Sequence, residues 1–152
     1  MKILAPKPVS ASRATLACFV QPENANLMGI VHGGFILHQI DSVAAVSAMR
    51  HVRGTAVTVS IDSMIFHLPV RIGELVTFMA SVNFAGTTSL EVGVRVEAEN
   101  LFTGEVRHTN SAYLHLVVID RHPGDGFLGR GGTGRDQRAG HIVEVADRKS
   151  VV

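Results

Sequence analysis

Between Gly33 and His51 the apolar residues of "GGFILHQIDSVAAVSAMRH" recur at helical spacing. Phe35, Ile36, Leu37, Ile40, Val43, Ala44, Val46 and Met49 cover most of the circumference, so the pattern predicts a helix buried nearly all round. Arg50 and His51 close its last turn, where the helix dipole favours cations, and Gly54 stands ready as the stop. After Gly54 the period falls from helical to two. "TAVTVSIDSMIFH" sets Val57, Val59 and Ile61 on one face against Thr58, Ser60 and Asp62 on the other. "LVTFMASVNF" points Val76, Phe78, Ala80, Val82 and Phe84 inward. "SLEVGVRVEAE" does the same with Leu90, Val92, Val94 and Val96, and "EVRHTNSAYLHLVVID" reads as the last long strand. Ahead of the helix, "ATLACFV" over 14–20 forms a first short strand, followed by the turn chemistry of "QPENANLMG".

"AGT" and "NLFTG" are tight turns between successive strands, the connection length of an antiparallel meander. A single helix that is apolar all round needs a sheet to wrap it. The expected class is therefore α+β, with a curved antiparallel sheet around one central helix. The expected domain runs from 1 to 120. From 121 to 152 the chain turns rich in Gly and Arg, loses apolar periodicity and reads as a flexible tail.

Composition narrows the class. The 152 residues are 46% hydrophobic and 18% charged, with no Trp, so aliphatic side chains must build the core of one domain. A net charge of +1 without a Lys/Arg block excludes nucleic acid as the main partner. No stretch approaches the roughly 20 apolar residues of a membrane helix. Proline breaks the apolar start of "MKILAPKPV", which makes a poor signal peptide. The single cysteine, Cys18, rules out an intrachain disulfide and reads as a buried structural thiol. A cytoplasmic protein is expected.

The candidate chemistry lies in "NANLMGIVHGGFILHQID". Asp41 puts a carboxylate on a helix whose positions three and four residues away are Leu37, His38, Ala44 and Ala45. An acid on such a face must be hydrogen-bonded or must do work. It either bonds a neighbouring backbone group or His38, or it faces a substrate. Gly33 and Gly34, after His32, expose helix-start N–H groups at the positive end of the dipole, where an anion or a polarised carbonyl oxygen can bind. The same glycines would serve a tight entry turn. Asn26 can orient a water or a carbonyl, or simply make a turn. Gly33 and Asp41 are eight positions apart, about 12 Å along a helix. One small carbonyl cannot touch both within a chain, so a shared substrate would require two chains with antiparallel central helices. No HExxH, GxSxG, Walker A or GxGxxG is present, and no metal is expected.

Taken together, "NANLMGIVHGGFILHQID", "VTVSIDSMIFHLPVRIGE" and "GTTSLEVGVRVEAENLFTGE" resemble the hotdog-fold acyl-CoA thioesterases, and within them the cytosolic acyl-CoA hydrolase group. The resemblance covers roughly residues 12–120. It implies a hotdog fold and hydrolysis of fatty acyl-CoA to fatty acid and coenzyme A, with no cofactor beyond the CoA of the substrate. It assigns Asn26 as the loop asparagine and Asp41 as the helix acid, general base or nucleophile. Gly33 and Gly34 become the N–H donors to the thioester carbonyl. It implies a homodimer as the minimal unit, often assembled as a trimer of dimers into a hexamer. Candidates to hold the substrate, including the CoA phosphates, are His32, Arg50, Arg53, Arg71, Arg95 and Arg107, with the turn Gly86, Thr87, Thr88, Ser89. Two alternatives stand beside it: a hotdog hydratase or dehydratase using His32 or His38 with Asp41, and a non-catalytic acyl-CoA sensor.

Overall fold

The computed structural model describes residues 7–119, so the expected tail at 121–152 lies outside the described residues. Strand β1 (Ala14–Phe19) precedes helix α1 (Gly33–Val52), and four strands follow: β2 (Thr55–Phe66), β3 (Leu75–Ala85), β4 (Ser89–Glu99) and β5 (Val106–Ile119). They form one antiparallel sheet in the order β1-β3-β4-β5-β2, curled against the helix. This is the α+β arrangement expected from the change of period. Among the described residues no helix is long and apolar enough to cross a membrane.

The core lies between one face of α1 and the inner face of the sheet. Ile36, Ile40, Val43, Ala44 and Ala48 supply the helix side. Val76, Phe78, Ala80 and Val82 of β3, Leu90, Val92, Val94 and Val96 of β4, and Ala112, Leu114 and Leu116 of β5 supply the other. Apart from Phe84, the inward residues expected in β3 and β4 are sealed. Phe84 is 48% exposed, because a register shift between Val82 and Phe84 turns the strand end outward.

Three further expectations need correction. The helix is not buried all round: Val46 and Met49 are exposed, as are His38 and Asp41. A five-stranded sheet covers one side of a helix, and the opposite side is left outside the core of this chain. In β2 the apolar face read from the alternation does not join this chain's core. Ala56 is buried, while Val57, Val59 and Ile61 are exposed, Val59 at 59%. β2 is an edge strand paired only with β5, and two register shifts interrupt it, between Thr58 and Ser60 and between Ile61 and Ser63. Lastly, Arg53, not Gly54, takes the left-handed conformation that ends the helix, with φ 55 and its N–H donated to the Met49 carbonyl.

Candidate active site

The loop before α1 is built by its own hydrogen bonds. The Asn26 N–H donates to the Ile30 carbonyl at 2.8 Å, and the Gly29 N–H donates back to the Asn26 carbonyl at 3.0 Å. Gly29 holds φ 73, which glycine adopts without the clash of a Cβ. The Asn26 side-chain oxygen accepts the Met28 N–H at 2.9 Å. Its amide nitrogen donates to no group among the described residues, and Asn26 lines a cleft.

That cleft, about 360 Å³, lies at the N-terminal end of α1. Ile30, Val31, Gly33 and Ile36 form one wall, and Phe66, His67, Leu68, Pro69, Val70 and Asn110 form the other. The two walls are tied together: the Val31 N–H donates to the Val70 carbonyl at 2.9 Å, and Ile30 bridges Arg71. Behind the second wall, Glu74 accepts the Arg71 N–H at 2.8 Å and pairs with the Arg107 guanidinium, which also donates to the Pro69 carbonyl at 3.2 Å. The Arg107 side chain therefore serves the cleft wall, Arg71 contributes only its backbone there and is exposed, and Arg95 pairs with Glu97 on β4.

The two glycines have different roles. His32 is the N-cap of α1, and its Nδ1 accepts the Gly34 N–H at 3.0 Å. The Gly34 donor expected to face a carbonyl is thus occupied, and His32 caps the helix instead of contacting the cleft. The Gly33 N–H has no partner among the described residues, and Gly33 lines the cleft. A Cβ on Gly33 would stand 3.3 Å from the Phe66 ring, tight enough that the ring must give.

Asp41 does not reach the cleft. It lies exposed on α1 beyond the cleft-lining first turn, with no hydrogen bond or ion pair among the described residues. The structural role, a bond to a backbone group or to His38, is therefore not realised. Arg50, Arg53 and the turn from Gly86 to Ser89 sit at the opposite end of the molecule, beside the start of β2 and the end of β5. Arg50 donates to the Arg13 carbonyl at 2.6 Å, and the Gly86 N–H donates to the Ser89 carbonyl at 2.8 Å.

One cleft residue went unnoticed in the sequence. Asn110 is 1% exposed, and neither its amide nitrogen nor its amide oxygen finds a partner among the described residues. Its position in the inward period with Ala112, Leu114 and Leu116 was the signal that could have found it.

A family model, the thioesterase superfamily, matches residues 28–102. The chain resembles an apo-hexameric acyl-CoA thioesterase of known structure at 37% identity and TM-score 0.76, covering 78% of this chain and 76% of that one. The chain belongs to the thioesterase superfamily. An acyl-CoA hydrolase from Staphylococcus aureus, solved as an asparagine variant with coenzyme A, matches at 31% identity and TM-score 0.74, over 76% of this chain and 70% of that one. Aspartate and threonine variants of the same hydrolase have also been solved. The cytosolic acyl coenzyme A thioester hydrolase of Rattus norvegicus is 37% identical over 119 residues, 77% of this chain and 31% of the relative. The chain spans less than two thirds of the length of these curated relatives. Another similar structure, from Campylobacter jejuni, is a hexameric hotdog fold thioesterase, and the helix wrapped by a five-stranded antiparallel sheet is that fold.

Proposed function

We propose that this thioesterase-superfamily chain hydrolyses acyl-CoA thioesters, with each active site shared between two chains. The observation that carries the reading is Gly33, first residue of a 20-residue helix, lining a largely apolar cleft with Asn26 and keeping an N–H without a partner among the described residues. A donor at that end of the dipole stabilises the negative charge that develops on a thioester oxygen. The acyl group lies along Ile36, Phe66, Leu68 and Val70. Water adds to the carbonyl carbon, the C–S bond breaks, and the sulfur leaves as the CoA thiol carrying one proton.

The acid comes from Asp41 of a second chain, as general base or as nucleophile. Two surfaces fit this pairing. β2 is a long edge strand with Val57, Val59 and Ile61 exposed, and α1 leaves Asp41, Val46 and Met49 exposed. Pairing two β2 edges about a two-fold axis sets the helices antiparallel and brings the second chain's Asp41 toward the first chain's Gly33. It also carries the second chain's Arg50, Arg53 and Gly86–Ser89 turn toward the mouth of the cleft, where the CoA phosphates would emerge. Hexameric relatives fit three such dimers.

Spacing supports the assignment. The asparagine, aspartate and threonine varied in the S. aureus hydrolase follow one another at intervals of fifteen and seventeen residues. Asn26, Asp41 and Thr58 have the same intervals. Thr58, half-buried at the first register shift of β2, therefore joins the candidate site. A hydratase would need an imidazole paired with an acid at the reacting carbons; His32 is committed to Gly34, His38 is exposed outside the cleft, and His67 in the cleft wall has no carboxylate among the lining residues.

The direct test offers the purified chain a panel of acyl-CoAs with a thiol-detecting dye. Release of CoA supports the proposal. Binding of acyl-CoA without release at any chain length would make the chain a sensor instead.

A further inference from the structure

The inner face of β5 is apolar except at one point. Ala112, Leu114 and Leu116 are fully buried against the helix, and Asn110 continues their row. Its backbone sits in register with Phe66 of β2 and Val96 of β4, so strand pairing needs nothing from its side chain. A buried amide that pairs with nothing is destabilising unless a partner arrives. Asn110 is 1% exposed, with both amide atoms orphaned, and it lines the same cleft as the Gly33 N–H.

Building on the thioesterase reading, we propose that Asn110 is a specificity residue that selects acyl groups bearing a neutral oxygen, a hydroxyl or a ketone, within a few carbons of the thioester. The distance follows from the size of the cleft. About 360 Å³ lies at the small end of ligand clefts, roughly 300–1,000 Å³, so the Gly33 donor and the Asn110 amide address one short acyl group. Neutrality follows from the lining, which contains no Lys or Arg to match a distal carboxylate. A hydroxyl fits best, since it donates to the amide oxygen and accepts from the amide nitrogen, and a ketone satisfies the nitrogen alone.

The test compares four-carbon substrates on the intact chain: butyryl-, 3-hydroxybutyryl-, 4-hydroxybutyryl- and acetoacetyl-CoA. A site built to hydrogen-bond its substrate rejects the analogue that leaves its polar groups unpaired. The wild type is expected to show kcat/KM at least ~10-fold higher for one oxygenated substrate than for butyryl-CoA. Asn110→Leu, similar in size and apolar, should erase that ratio, lowering kcat/KM for the oxygenated substrate at least ~10-fold more than for butyryl-CoA. Should Asn110→Leu fail to fold, the wild-type ratio decides. A wild type that turns over butyryl-CoA as well as every oxygenated analogue overturns the inference and leaves the thioesterase reading standing. So does an Asn110→Leu variant with an unchanged ratio. No hydrolysis of any of the four overturns the inference, and the thioesterase reading falls with it only if longer acyl-CoAs are left intact as well.

Discussion

Gly33 and Asp41 belong to the same helix, yet only Gly33 opens on the cleft; Asp41 stands exposed two turns further along. The separation along the axis is about 12 Å. Asp41 is exposed and without an ion pair among the described residues, and the proposed pairing of chains turns this part of α1 toward a second chain. If that carboxylate serves the reaction, Asp41→Asn should lower kcat at least ~100-fold with little change in the melting temperature. Asn26→Ala should cause a similar loss of kcat. A near-normal rate in either variant removes that residue from the mechanism.

The edge strand gives a second test. Val59 is 59% exposed in the middle of β2. Val59→Lys would place a charge in a strand–strand interface, so sedimentation should show the assembly shifting to monomer, and acyl-CoA hydrolysis should fall with it. Retention of the wild-type sedimentation coefficient would mean that chains associate through another face.

The Glu74–Arg107 pair makes a separate claim. Its side chains are 6% and 15% exposed, and it holds Pro69 and Arg71 behind the cleft wall. Removing one partner of a buried pair typically costs about 3–5 kcal/mol. Arg107→Met should therefore lower stability in urea unfolding at fixed protein concentration, and Arg107→Met with Glu74→Gln should recover part of the loss. Additive losses in the double variant would show that the two do not act as a pair.

Much of this molecule was legible in its sequence. The start of α1, the four strands after it and the sealed rows of β3 and β4 follow from periodicity, because a side chain's spacing fixes its face. The orientation of β2 did not follow. Val57, Val59 and Ile61 alternate like core residues, and a pattern of apolar positions cannot say whether they face their own core or another chain's. The helix misled for the same reason, since Val46 and Met49 add apolar surface that this chain does not cover. Asn26, Gly33 and Asp41 were visible as residue types out of place. The loss of the Gly34 donor to His32 depends on a side-chain rotamer. Asn110 depends on what is missing around an amide, and neither is written in spacing.

Cys18 offers a control. It is half-buried, and burial pushes its thiol above the ordinary range. At neutral pH it is a protonated, weakly nucleophilic thiol on β1, and it is not among the cleft-lining residues. Cys18→Ser should hydrolyse acyl-CoA within about two-fold of wild type. A loss of ten-fold or more, with the fold intact, would place the thiol in the chemistry.

Service of one thioester by two chains is tested most directly by CoA release from verified hetero-oligomers that combine an Asn26→Ala chain with an Asp41→Asn chain. Each variant alone should be nearly inactive. Together they should regain a substantial fraction of wild-type turnover, because each mixed pair rebuilds one intact site and spoils the other. Mixed assemblies no more active than either parent would contradict a site shared across chains.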